Sequence, residues 1–175
     1  MERDGLLYDV TYRRIRSDIM DLTLEPGTAL SVRKLAERYQ VSRTPAREAV
    51  LRLQKEDLVE TFPQSRTIVS KISAGRVEEE RFIRKALEMA SFQDFIARES
   101  PAVLDALEYL IRKQKEHLEF GRDRDFFESD QKFHRMIFET AGKGLAWKIA
   151  NTALTHYNRF RFLTVRIRIL DERII

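Results

Sequence analysis

The chain has 175 residues, with 32 Lys and Arg against 28 Asp and Glu, three His, no Cys and a formal net charge of +4. This length holds one medium domain or two small ones, and 43% hydrophobic with 34% charged residues is the composition of a folded protein, which excludes disordered, collagen-like and low-complexity classes. The absence of Cys removes thiol nucleophiles, disulfides, iron–sulfur clusters and Cys-ligated zinc, and no apolar run approaches the roughly 18 to 20 residues of a membrane span.

The Met-Glu-Arg-Asp-Gly start lacks the basic and apolar regions of a signal peptide, so a cytoplasmic address with no membrane partner is expected. Leu6, Val10, Ile15, Ile19 and Leu22 recur near helical spacing, and Pro26-Gly27 stops this first helix with a turn. Ser31 stands where an N-cap should, ahead of Val32, Leu35, Ala36 and Tyr39 on one face of a short second helix that ends near Gln40. In Ser42-Arg43-Thr44-Pro45 either hydroxyl residue can cap a third helix. Pro45 is tolerated there because N–H groups of a first turn have no intrahelical partner. The inner face of this helix is Ala46, Ala49, Val50 and Leu53, which leaves Arg43, Arg47, Glu48, Arg52 and Lys55 outside. From Leu58 to Ser70 two β-prone runs flank Pro63-Gln64-Ser65-Arg66, the pattern of a small hairpin.

A net excess of four charges decides little, and its distribution decides more. Between Ser31 and Lys55 stand Arg33, Lys34, Arg38, Arg43, Arg47, Arg52 and Lys55 against only Glu37 and Glu48. Two short helices joined by a tight turn, the second rich in Arg and followed by a hairpin, have the layout of a winged helix-turn-helix. The start of the third helix is then free to enter a major groove. Arg43 and Arg47 present planar forks that match guanine O6/N7 or a phosphate, and Ser42 and Thr44 add hydroxyls at the positive end of the helix dipole. Arg33 is placed to touch the DNA backbone. A basic helix face is more often a merely solvated one, and here the surrounding helix-turn-helix and wing tip the balance.

The strings Leu24-Glu25-Pro26-Gly27, Leu30-Ser31, Leu35-Ala36, Val41-Ser42-Arg43-Thr44-Pro45-Ala46-Arg47-Glu48-Ala49 and Arg52-Leu53 closely resemble the DNA-binding domain of the GntR family of bacterial transcription regulators. The resemblance spans about Leu6 to Ile72. It implies that Arg33, Arg43, Thr44 and Arg47 contact DNA, with Gln64, Ser65 and Arg66 at the wing tip near the minor groove. Two features depart from the pattern: Asp57 stands where the family usually has Gly, and the Gly usual near Arg66 in the wing is missing. Asp accepts a left-handed helix end less well than Gly, at modest cost.

After a linker at Ile72–Gly75 the remaining residues read as helix after helix: about Arg76 to Arg98, Pro101 to Phe120, Asp125 to Thr140, and a last one from Leu145 toward Leu170. The segment Arg159–Ile169 also alternates with period two. A helix is expected, because a lone strand would leave its backbone unpaired. The expected fold class is thus mainly α, with a winged helix-turn-helix of three helices and a small β-hairpin over residues 1–72 and an all-α effector-binding and dimerisation bundle over 76–175.

In that bundle Arg84-x-x-x-Glu88 and Asp130-Gln131-Lys132-Phe133-His134 resemble the FadR-type effector domain of the same family, in the branch whose bundle often holds a metal. Asp130 and His134 lie four apart on one helix face, which suits a divalent ion such as zinc, nickel or manganese. Taken alone, that spacing is more often a hydrogen-bonded surface pair. The resemblance implies two further His ligands from later helices, and Ile175 precedes the segments that would carry them, so the chain is expected to be C-terminally truncated with an incomplete metal site. His117 reads as a solvated residue and His156 as a hydrogen-bonded packing residue. Truncation would expose apolar surface from Phe126, Phe127, Phe138, Trp147 and Phe160 and favour a homodimer, whose symmetry pairs two reading heads with a palindromic operator. The resemblance further implies a carboxylate-bearing effector beside the metal, with Arg84, Arg159 and Arg161 as its candidate partners.

The reading is a ligand-responsive transcription regulator, most simply a repressor, and no enzyme. The alternatives are a metal-dependent enzyme using Asp130 and His134, disfavoured because no second acid, catalytic triad order or phosphate loop accompanies them, and a helical interaction module.

Overall fold

The computed structural model describes residues 2–167. The chain divides into two compact units, Met1–Ile72 and Ser73–Ile175. The first contains helix α1 (Glu2–Met20), strand β1 (Ala29–Leu30), helices α2 (Val32–Tyr39) and α3 (Arg43–Lys55), and strands β2 (Val59–Phe62) and β3 (Arg66–Val69). The second contains helices α4 (Ala74–Ile96), α5 (Pro101–Glu119), α6 (Asp123–Thr140), α7 (Gly144–Thr152) and α8 (Thr155–Ile167). Among the described residues no helix is long and apolar enough to cross a membrane.

The first unit is built around the apolar faces read from the sequence. Ile15 and Ile19 of α1, Leu35 and Ala36 of α2, and Ala46, Ala49, Val50 and Leu53 of α3 meet Leu58, Val59 and Val69 in one buried cluster. Each large aliphatic group so buried contributes about 1.5–3 kcal/mol relative to exposure. Gln40 closes α2 in the left-handed conformation, its N–H directed at the Ala36 and Glu37 carbonyls, and this sets the tight turn into α3. The angle is pinned from α1, where the Asp18 carboxylate accepts from the Tyr39 hydroxyl at 2.7 Å and from Arg38 at 2.9 Å.

The hairpin expected over Leu58–Ser70 is part of a larger element. The sheet has three antiparallel strands in the order β1-β3-β2, with Ala29 opposite Ile68 and Glu60 opposite Ile68 on the other side. Two residues are too few to show a strand period, so β1 exists only through its pairing. The wing loop Pro63-Gln64-Ser65 turns at Gln64, whose φ is +54°, and Ser65 N–H donates to the Phe62 carbonyl at 3.1 Å.

In the second unit α5 packs along α6, and α4 lies against α6 and α8. Two expectations fail here. The last helix, expected to run unbroken from Leu145 toward Leu170, breaks after Thr152 into α7 and α8, and its expected end at Leu170 lies outside the described residues. Long-range polar contacts satisfy the break: the Asn158 amide donates to the Ala150 and Asn151 carbonyls at 3.1 and 3.2 Å, and buried Glu80 on α4 accepts from Tyr157 N–H at 2.8 Å. The second failure is the expected apolar exposure. Phe126, Phe138 and Trp147 are buried and Phe127 is half-buried, because α6 and α7 close on each other and Phe127 meets Phe162 edge to face; only Phe160 is exposed. Exposed apolar side chains are instead concentrated on α4, at Phe82, Ile83, Met89, Phe92 and Ile96.

Candidate functional site

The start of α3 carries the first candidate site. Ser42 is the N-cap residue in extended conformation, and Arg43, Thr44 and Pro45 form the first helical turn. An N-cap serine ordinarily accepts a bond from the second or third helical N–H. Pro45 holds the third position and has no N–H, and the Ser42 hydroxyl makes no capping bond. That hydroxyl, the Thr44 side chain and the two guanidinium groups of Arg43 and Arg47 are all exposed.

The seven basic residues between Ser31 and Lys55 separate into three groups. Arg38 is tied to Asp18, and Arg52 pairs with Asp9 at 2.9 Å while stacking over the Tyr12 ring at 3.7 Å, so both serve the packing of α1. Arg33 is exposed and pairs with Glu37 along its own helix at 2.9 Å. Lys34, Arg43, Arg47 and Lys55 are exposed and have no ion pair among the described residues. Sequence alone does not separate these groups, because the partners Asp9 and Asp18 come from α1. Gln64, Ser65 and Arg66 are exposed at the wing, with the Arg66 guanidinium 5.6 Å from the Phe62 ring centre. Asp57, in the place where Gly is usual, adopts φ +56°, and its carbonyl accepts from the Ser70 hydroxyl.

The second candidate site is a chain of buried and half-buried ionic groups joining α4, α6 and α8. Arg84 donates to Glu88 at 2.7 Å and to Asn158 at 3.3 Å. Glu88 lies 3.0 Å from His134 Nδ1, Asp130 lies 3.5 Å from His134 Nε2, and the Arg161 guanidinium donates to Asp130. Burial opposes ionisation of Glu88, but the His134 hydrogen bond and charge, with Arg84, hold it at about 2. Burial likewise opposes ionisation of Asp130, and Arg161 followed by His134 holds it at about 2. Burial pulls His134 down, and its two carboxylate partners outweigh that pull and raise it above the ordinary 6.5. Burial and the nearby Arg161 charge lower Arg84.

Glu88, noted in the sequence beside Arg84 but not as a site residue, is joined to this cluster through His134. Arg159 is fully buried, donating to the Thr155 carbonyl at 3.3 Å, and His156 accepts from Ser73 N–H at 3.2 Å. His117 is half-buried, and its Nδ1 has no hydrogen-bond partner among the described residues.

The residues present do not fit the implied metal. Both His134 nitrogens face carboxylates, Asp130 is engaged by a guanidinium, and His117 and His156 lie elsewhere. Among the described residues no group of three or more His, Asp or Glu side chains has an arrangement that could hold an ion.

Two cavities flank His134. One, of about 410 Å³, is lined by Glu88, Met89, Phe92, Gln93, Ile137 and Phe138 beside the histidine. The other, of about 280 Å³, is lined by Arg81, Phe126, Phe127, Asp130, Phe160 and Arg161, among others. Arg161 therefore faces a cavity, whereas Arg84 and Arg159 do not line either one.

Residues 7–69 match the family described as bacterial regulatory proteins, gntR family, and residues 81–174 match the FCD domain. Over 153 residues, 87% of this chain, it is 35% identical to an uncharacterized HTH-type transcriptional regulator in an unstable DNA locus of Streptomyces ambofaciens, covering 64% of that protein. Over the same length it is 33% identical to the HTH-type transcriptional repressor RspR of Escherichia coli strain K12, covering 67% of it. The chain thus spans about two thirds of the length of these relatives. Its fold is similar to that of E. coli McbR/YncC, with a TM-score of 0.73 at 22% identity over 96% of this chain and 76% of that one.

Proposed function

On the premise that the chain belongs to the GntR family of bacterial regulatory proteins, with an FCD domain as its second half, we propose that it is a sequence-specific DNA-binding transcription regulator controlled by a small molecule, most simply a repressor. The observation that carries this reading is the start of α3, where exposed Arg43 and Arg47, without ion pairs among the described residues, flank Thr44 and an uncapped Ser42. Such a surface offers base-reading forks and phosphate-binding hydroxyls at the positive end of a helix. Arg33 and the wing residues Gln64, Ser65 and Arg66 serve the DNA backbone and the minor groove. The helical unit binds the effector and pairs two copies, so that two reading heads meet the two halves of a palindromic operator in the cytoplasm.

Control requires that the effector bind the DNA-competent and DNA-incompetent states with different affinity. Against the alternative of a metal-dependent enzyme stands the pairing of Asp130 with Arg161 and of His134 with Glu88. Selection of bound duplexes from a random library, followed by footprinting, tests the reading. Enrichment of a symmetric site with protection in successive major grooves is expected. Recovery of unenriched sequence at every round contradicts it.

A further inference from the structure

Strands β2 and β3 end in the pair Phe62 and Arg66, which stand opposite each other across the antiparallel ladder. The three residues between them are held from within. Pro63 has its φ fixed by its ring, and Gln64 takes φ +54°, a left-handed value that is costly for any residue with a Cβ. Ser65 N–H donates to the Phe62 carbonyl at 3.1 Å, and one step down the ladder the Thr61 and Thr67 hydroxyls lie 3.2 Å apart. At this tip Phe62 is 42% exposed, and the Arg66 guanidinium lies over its ring at 5.6 Å. Arg66 is exposed and has no ion pair among the described residues, so the ring contact is what orients it.

A single exposed Phe needs no explanation by itself. Here the ring, the proline and the left-handed Gln64 together hold one guanidinium at the end of a narrow hairpin. Ordering a long side chain in advance reduces what binding would otherwise lose in rotamer freedom. A phosphate contact gains little from this, because phosphates accept a mobile cation from many directions. The minor groove of an A·T run gains more: it is narrow, its negative potential is enhanced, and it draws an inserted Arg without base-specific hydrogen bonds. A G·C pair places the guanine 2-amino group on the same groove floor.

We propose that Phe62 is a positioning residue for DNA reading: its ring holds the Arg66 guanidinium ready for insertion into the minor groove, so that the wing selects A·T pairs beside each major-groove site by groove width. The proposal rests on the regulator reading and adds to it a sequence preference outside the reach of α3. With the usual glycine missing from this wing, the contact comes from a side chain.

The test uses three duplexes that share the selected major-groove site and differ only in the pairs beside it: A·T, G·C, and inosine·C, which lacks the 2-amino group of G·C in the minor groove. Anisotropy titrations of the parent chain are expected to favour the A·T duplex over the G·C duplex by about fivefold or more, with inosine·C following A·T. Arg66→Ala is expected to abolish the preference and to reduce the salt slope by about one. Phe62→Ala is expected to reduce the preference by about two- to fivefold at an unchanged salt slope, because the cation is still present. Phe62→Leu should behave like Phe62→Ala, and Phe62→Tyr should retain the parent preference. Melts of each variant check the fold, and if Phe62→Ala fails to fold, the contrast between Leu and Tyr decides. A preference that survives in Phe62→Leu, or an inosine·C duplex that behaves as G·C, overturns the proposal. A parent chain that prefers the selected duplex over random duplex but ignores the flanking pairs overturns this assignment alone, and absence of that preference overturns the regulator reading.

Discussion

Pro45 stands three residues after Ser42 at the start of α3 and removes the N–H that a capping serine would otherwise engage, so the Ser42 hydroxyl faces outward without a bond to its own helix. A serine N-cap normally contributes about 1 kcal/mol to its helix, and here that contribution is missing. Ser42→Ala is therefore expected to change stability by less than about 0.5 kcal/mol while weakening binding to operator and random duplex alike. Urea unfolding paired with a DNA titration checks this. A full capping loss with unchanged DNA affinity would assign the residue to the fold.

Arg43 and Arg52 lie on the same helix and have different expected phenotypes. Arg43 is exposed without an ion pair among the described residues, and Arg43→Ala should cost on the order of 1–3 kcal/mol on operator with loss of base discrimination. Arg52 is bound to Asp9 and stacked on Tyr12, and Arg52→Ala should cost about 1 kcal/mol of stability while leaving the preference for operator over random duplex intact. Competition titrations and melts of both variants give the comparison.

Asp57 holds φ +56° directly after α3, a conformation that glycine adopts without strain. Asp57→Gly is expected to stabilise the first unit by roughly 0.5–1 kcal/mol, since its backbone bond to Ser70 does not involve the side chain. The urea midpoint should rise at constant m-value, with no change in operator affinity.

These cases show what the sequence conveys and where it is silent. The apolar periodicity and the breakers at Pro26-Gly27, Pro101 and Gly142 suffice to place α1 to α6, because helix formation and helix stops are local. Strand β1 and the break between α7 and α8 depend on partners far along the chain, Ile68 for the strand and Glu80 for the helix start, and no local pattern announces them. The division of basic residues into structural and free groups depends on Asp9 and Asp18 in the same way. At the second site Asp130 and His134 are legible as an i,i+4 pair. That Glu88 and Arg161 complete the pair, and so consume its ligating atoms, requires α4 and α8 to be in place.

The ionic cluster of the helical unit predicts a stability profile that falls on both sides of neutrality. Glu88 and Asp130 sit at about 2 in the folded state against ordinary values of 4.5 and 3.8, so the stability they contribute is present above those values and is lost as pH falls toward 2. His134 is raised above 6.5, so its contribution is full below 6.5 and is lost as pH rises through the raised value. Melts across this range should place the maximum between the two limbs, and His134→Gln should flatten the alkaline limb. An alkaline limb unchanged in that variant would show that another group controls it.

The most direct test of the account is a fluorescence anisotropy titration of the selected duplex with random duplex as competitor, at two salt concentrations, for the parent chain and for Arg43→Ala/Arg47→Ala. Binding that survives the competitor, weakens with salt, and falls to the random-duplex level in the double variant is predicted. Equal affinity of parent and double variant for the selected duplex would contradict the claim that the start of α3 reads DNA.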